Sequence, residues 1–367
     1  MPVMTWEPLL LATMLLTAPG SLPPDFPLHP ETHGGVGGGG GRRERAGLRY
    51  FPVIMIPDDG RDHRDWQGAH TGNAPGADVS VVQHLRRAGF QPIELWMLDP
   101  ADPGRQWTSI EEATDDLKFF IASVMHYTGA DRVQILAHGA GALLARLTLL
   151  KYNIAHWVAA EVYIGFPAAV ADPERAGERT LRGYPNAWAA AAGSPLLQEV
   201  LLHGNVPVLH NPLTGRRQRT RTLTIHGGAG PPGLRGTYHA ELSGLDHDGL
   251  RCAPATLRLA APFLKQKARP YDPAEDRDGD GFRGAAFGGP DTDDTEPSIY
   301  PGAPEIRGDG IDQDGNGRDL DPEGGRDGEI PLSLRIRRCC GADLPSAGCC
   351  RPLRGGLATG RRRSCSA

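Results

Sequence analysis

Apolar positions along this chain fall into two rhythms, and the two alternate. Short apolar runs at residues 50–56, 91–98, 132–137, 157–165 and 222–226 have the length of buried strands. Between and after them, residues 78–88, 110–127, 140–152 and 253–264 repeat their apolar positions at helical spacing. The run at 50–56 is an apolar stretch typical of a buried strand. Strands alternating with helices predict an α/β domain with a mostly parallel sheet over residues 49–266. A domain of that size buries about 70% of its extended-chain surface, so its core needs no staples. The helical rhythm weakens between residues 166 and 219.

The regions outside this domain are of another kind. Residues 1–20 carry a short apolar stretch, Pro8 to Gly20, with the length of a signal-peptide core and too short to span a bilayer. Glu7 stands before it where a basic residue is usual, so a frayed apolar terminus is the competing reading. Residues 21–48 read as a Gly/Pro-rich linker. Residues 271–329 hold 18 Asp and Glu against 5 Arg, and residues 330–367 hold 8 Arg against one Asp, so a net charge of -5 conceals two opposed segments. No basic stripe interleaved with aromatics crosses the central domain, which excludes a nucleic-acid partner. Five of the six cysteines crowd into the last thirty residues as Cys339, Cys340, Cys349, Cys350 and Cys365, without a zinc-site spacing. Disulfides and metal ligation both stay open for them.

Candidate chemistry begins where the strand at 132–137 turns sharply into the helix at 140–152. The turn reads Ala137-His138-Gly139-Ala140-Gly141. A strand, a sharp turn and a helix form the setting of a nucleophile elbow, whose signature is Gly-x-Ser-x-Gly. Gly139 stands in the serine's place and has no side chain with which to attack a carbonyl.

Three stretches in order resemble bacterial lipases and esterases of the α/β-hydrolase superfamily over roughly residues 49–265. They are Pro52 to Ile56 with Gly60 to Trp66, Tyr127 to Val133 leading into the elbow, and Leu242 to Arg251. The resemblance implies an α/β-hydrolase fold, with cap or lid insertions in the interval 166–219. It implies that Gly139 is the lost nucleophile position, that His247 is the histidine base, and that Asp172 is a substitute for the acid. No Asp or Glu lies between Arg221 and Ala240, where the acid is usual. It also places Pro57 and Asp58 where such enzymes carry His-Gly. Proline has no N–H to donate, and an aspartate repels a developing oxyanion.

The acidic segment carries two ligand-spaced loops. Asp276, Asp278 and Asp280 alternate with other residues and end in glycine. Asp312, Asp314, Asn316 and Glu323, with the carbonyl of Arg318, match the full calcium-loop spacing, although no helix pattern flanks them. Phe287 falls where a carboxylate would close the first loop. The stretch from Pro290 to Asp312 resembles the MopE-like metal-binding repeats of secreted bacterial proteins, which are akin to thrombospondin type 3 calcium repeats. That resemblance implies calcium as cofactor. It also places Thr292 and Gly315 where family members carry cysteines. A plain acidic linker is the alternative.

The expectation is therefore a secreted or cell-surface protein with a lipase-like α/β-hydrolase fold, followed by an irregular Asp/Gly-rich calcium-binding segment. Its catalytic triad is degraded, and its partner is a lipid or acyl ligand or another protein. The rival is an active carboxylic ester hydrolase of the triacylglycerol-lipase kind.

Overall fold

The computed structural model describes residues 35–37, 47–58, 61–68, 80–98, 110–166, 208–210, 217–228 and 238–320. Two compact units divide the chain, Met1–Glu329 and Ile330–Ala367, and the second lies outside the described residues. The central sheet has the order β1 (Gly35–Gly37), β3 (Leu95–Leu98), β2 (Val53–Ile56), β4 (Val133–His138), β5 (Val158–Ile164), β8 (Arg221–His226), β9 (Tyr238–Glu241). Strand β1 is antiparallel to β3; the other six strands run parallel. A separate hairpin joins β6 (Val208–His210) to β7 (Arg217–Arg219), inside the interval expected to hold an insertion. The apolar run at 50–56 becomes strand only from Val53, and within 91–98 a 3-10 turn precedes β3.

Alternation along each strand divides the core in two. Ile54 and Ile56 pack with Leu117, Ile121 and Leu144 of helices α3 (Ile110–Thr128) and α4 (Ala140–Lys151). Val53 and Met55 face the other way, toward Trp66 of α1 (Arg64–Gln67), Val81 and Leu85 of α2 (Val81–Arg87), and Leu257 and Ala260 of α6 (Pro254–Phe263). Burial on both faces explains why these strands read as continuous apolar runs. Helix α2 starts at Ser80, whose hydroxyl accepts the Gln83 N–H while the Gln83 amide accepts the Ser80 N–H, a reciprocal cap.

The acidic segment is packed onto the α3 and α4 side of this core. Phe282 lies in the apolar cluster that α3 and α4 build, stacked on Tyr300. Arg283, 1 % exposed, makes ion pairs with Asp131 and Glu275 and donates to the Pro270 carbonyl. Asn153 donates its amide to the Asn316 carbonyl at 2.8 Å, and Arg318 donates to the Lys151 carbonyl at 2.9 Å. Among the described residues, no helix is long and apolar enough to cross a membrane.

Candidate functional site

The elbow forms as the sequence pattern predicts. Strand β4 ends at His138, Gly139 adopts φ 52° and ψ -124°, and α4 starts at Ala140. A side chain there would be strained by about 1–3 kcal/mol, and glycine removes that cost. Gly141 is required for a different reason. A Cβ at that position would overlap the Ile56 and Pro57 carbonyls at the end of β2.

What occupies the nucleophile's place is Asp58. A Cβ on Gly139 would overlap the Asp58 carboxylate. Asp58 Oδ1 accepts the Ala140 N–H at 2.7 Å, and Asp58 Oδ2 accepts from His247 Nε2 at 2.8 Å. The N–H after the nucleophile is one of the two donors of a hydrolase oxyanion hole. The aspartate therefore does more than repel a developing oxyanion: its carboxylate sits where that oxyanion would form. The sequence placed Asp58 at the edge of the site, but its 81-residue separation from Gly139 concealed their contact.

The electrostatics match this closure. Burial alone would raise the Asp58 carboxyl, but the hydrogen bond from His247, the fields of His138 and His247, and the Ala140 N–H outweigh it and hold it at about 2. The hydrogen bond to Asp58 raises His247 above its ordinary value, against the opposing effect of burial. His247 opens helix α5 (His247–Cys252), which Asp246 caps by accepting the Gly249 N–H. Beside it, burial depresses His138 to about 3, with the charge of His247 adding to the effect. His138 stacks on His247 with ring centroids 4.3 Å apart and donates its Nε2–H to the His247 carbonyl at 3.1 Å. Arg61 reaches Asp248 at 3.1 Å and joins the loop after β2 to the histidine loop. Asp172 lies outside the described residues, so the place of the acid stays an expectation.

The acidic segment forms carboxylate clusters of wider membership than the local spacing indicates. Asp276 and Asp278 meet Asp294, and Asp278 and Asp280 meet Asp291. Asp291 and Asp294 come from the next turn and supply the closure that Phe287 cannot. Asp312 and Asp314 meet Glu305, with Asn316 buried in the same turn. Among the site residues expected from sequence, Glu323 lies outside the described residues. Arg318 is a guanidinium donor to the Lys151 carbonyl. Asp291, Asp294 and Glu305 lie in or beside the repeat-like stretch, where the pattern marked a region without assigning them roles.

The Asp276–Asp294 cluster fits a hard cation. Asp278 Oδ2, Asp280 Oδ2 and Asp291 Oδ2 are buried without a hydrogen-bond partner, and Asp291 is fully buried. Burial pushes Asp280 up to about 8 and Asp291 to about 7, with the charges of neighbouring aspartates adding to it. Orphaned carboxylate oxygens at this density call for a positive charge. All donors are oxygen, the set that suits magnesium, calcium or manganese rather than thiophilic metals.

Comparison with known proteins agrees on both regions. Residues 69–156 match the family model Lipase (class 2), a span that takes in the elbow but neither Asp58 nor His247. Residues 291–319 match the model described as "Putative metal-binding motif". With its parallel sheet and elbow, the chain has the α/β-hydrolase fold. No curated protein is matched. Among solved structures it is similar to a lipase of Bacillus licheniformis in mature form, at 12% identity and TM-score 0.42, covering 63% of this chain and 97% of that one. It is also similar to a carboxylesterase of Bacillus subtilis, at 12% identity and TM-score 0.33, covering 59% and 84%.

Proposed function

We propose that this chain is a non-catalytic, exported binding protein built on a lipase frame, with calcium ordering its C-terminal acidic segment. The observation that carries the first part is the Asp58 carboxylate in the nucleophile's place, bonded to both Ala140 N–H and His247 Nε2. A hydrolase needs a free nucleophile, a base with its catalytic nitrogen available, and empty oxyanion donors. Here the nucleophile is absent at Gly139, and one carboxylate occupies both the histidine nitrogen and the Ala140 N–H. Turnover of p-nitrophenyl butyrate by purified protein, clearly above a heat-killed control, would overturn the proposal. It would favour the rival reading of an active ester hydrolase, for which Asp58 must first swing away. The frame's remaining role is then to hold a lipid or acyl ligand or another protein.

Calcium is favoured for the acidic segment because the ligand set is all-oxygen, irregular and largely carboxylate. Asp276, Asp278, Asp280, Asp291 and Asp294 would hold it. Export rests on the apolar stretch ending near Gly20, and suits a calcium module of extracellular affinity. N-terminal sequencing of the protein from its host tests export: a chain beginning past Ala18 supports it, and an intact Met1 in the cytoplasm rejects it.

A further inference from the structure

The loop with the full calcium-loop spacing differs from its neighbour in one respect: a lysine from the hydrolase core reaches into it. Turn geometry engages one oxygen each of Asp314 and Glu305, and both oxygens of Asp312. Asp314 Oδ1 accepts the Asn316 N–H at 3.0 Å, and Glu305 Oε1 accepts the Asp314 N–H at 2.8 Å. Asp312 accepts the Asn316 and Gly317 N–H groups at 3.0 and 2.6 Å. Beside Asp312, three oxygens of this cluster accept no hydrogen bond: Glu305 Oε2, Asn316 Oδ1 and Asp314 Oδ2. The first two are buried without a hydrogen-bond partner. The third meets the ammonium of Lys118 in an ion pair, an ionic contact rather than an aligned hydrogen bond.

Lys118 comes from the middle of α3, is 4% exposed at its side chain, and pairs with a fully buried Asp314. Its Nζ also lies 4.6 Å from the centre of the Tyr152 ring, which favours a cation there. A divalent ion on Asp314 Oδ2 would sit within about 5 Å of that buried ammonium, given metal–oxygen distances of about 2.4 Å. The two charges would repel each other with little solvent to screen them. In the other cluster, no ion pair among the described residues reaches Asp278, Asp280 or Asp291; Arg283 and Arg269 serve Asp131 and Glu275 instead.

We infer that Lys118 is a tethered cation that stands in for a metal ion at Glu305, Asp312 and Asp314, so that calcium goes to the Asp276–Asp294 cluster alone. The inference rests on the calcium reading above. It makes the loop a fixed clamp between α3 and the segment, independent of calcium, and leaves the other cluster as the part that responds to it.

Calcium bound to the full-length protein, counted by equilibrium dialysis with elemental analysis, tests this. Lys118→Met keeps the length of the side chain and removes the charge, and should gain one equivalent over the unaltered protein. Asp312→Asn, which leaves the Lys118 pair in place, should bind as many as the unaltered protein, and Asp278→Asn should bind fewer. Asp312→Asn guards against Lys118→Met failing to fold. No gain in folded Lys118→Met, or the loss of one equivalent in Asp312→Asn, overturns the inference and leaves the calcium reading intact. No calcium on the unaltered protein at millimolar concentration overturns that reading, and the inference with it.

Discussion

The two acidic sites of this molecule use the same functional group in opposite ways. At the elbow one carboxylate is met by the protein's own donors, and it is held at about 2. In the Asp276–Asp294 cluster several carboxylates face one another with oxygens unpaired, and Asp280 and Asp291 are pushed up to about 8 and 7. The difference lies in donors, since burial acts in the same direction at both. Where an N–H and an imidazolium converge on a carboxylate, the site is complete from within. Where like charges converge, the missing partner is an external cation. Under the proposed function, one region is closed against substrates and the other is open to an ion.

The sharpest way to break this comparison is at Gly139. Restoring serine alone should give no esterase activity, because its side chain meets the Asp58 carboxylate and its backbone is strained. Loss of a triad nucleophile costs roughly a million-fold in turnover, and Gly139→Ser should recover none of it in a p-nitrophenyl butyrate assay. It should also lower the melting temperature; Gly139→Ser with Asp58→Gly, which clears the space, should melt higher than Gly139→Ser alone.

Next in size is the strap between the two regions. Arg283→Met leaves Asp131 and Glu275 without their buried partner and should cost about 3–5 kcal/mol in urea unfolding. Calcium should act on the segment alone. At a hundred times its dissociation constant, the ion should add about 2.7 kcal/mol to the stability of what it binds. EDTA should then speed proteolytic cleavage within residues 276–294 and leave the sheet strands protected.

A smaller effect tests the elbow pair through pH. Asp58 is lowered, so its contribution is present above its ordinary value of 3.8 and is lost as pH falls toward about 2. That contribution is about 2 kcal/mol, at about 1.4 kcal/mol per unit. His247 is raised from 6.5, so its contribution is full below that value and fades as pH climbs past it. The pair's contribution, read as the difference in unfolding free energy between the unaltered protein and Asp58→Asn, should therefore plateau between about pH 4 and 6.5. The smallest effect concerns the positions where the related repeats carry cysteines. A Cβ on Gly315 would lie 3.1 Å from Thr292 Cγ2, so Thr292→Cys with Gly315→Cys should form a disulfide. Its gain should be reduced by the positive φ of 68° at Gly315, and mass spectrometry with and without reductant checks the bond.

What the sequence by itself determined is whatever depends on near neighbours. Apolar rhythm marked the strands and helices, because burial on one or two faces repeats every two or 3.6 residues. The elbow was legible because strand, turn and helix are contiguous, and the Asp-x-Asp loops because a single turn gathers its own ligands. Tertiary structure alone decided which distant groups meet. Asp58 filling the space above Gly139, Asp291 and Asp294 completing the first loop, and Lys118 entering the second all depend on how elements pack. Side-chain contacts across such separations leave no periodic trace in the chain, because their geometry is set by the sheet order and the helix faces, not by spacing along the backbone.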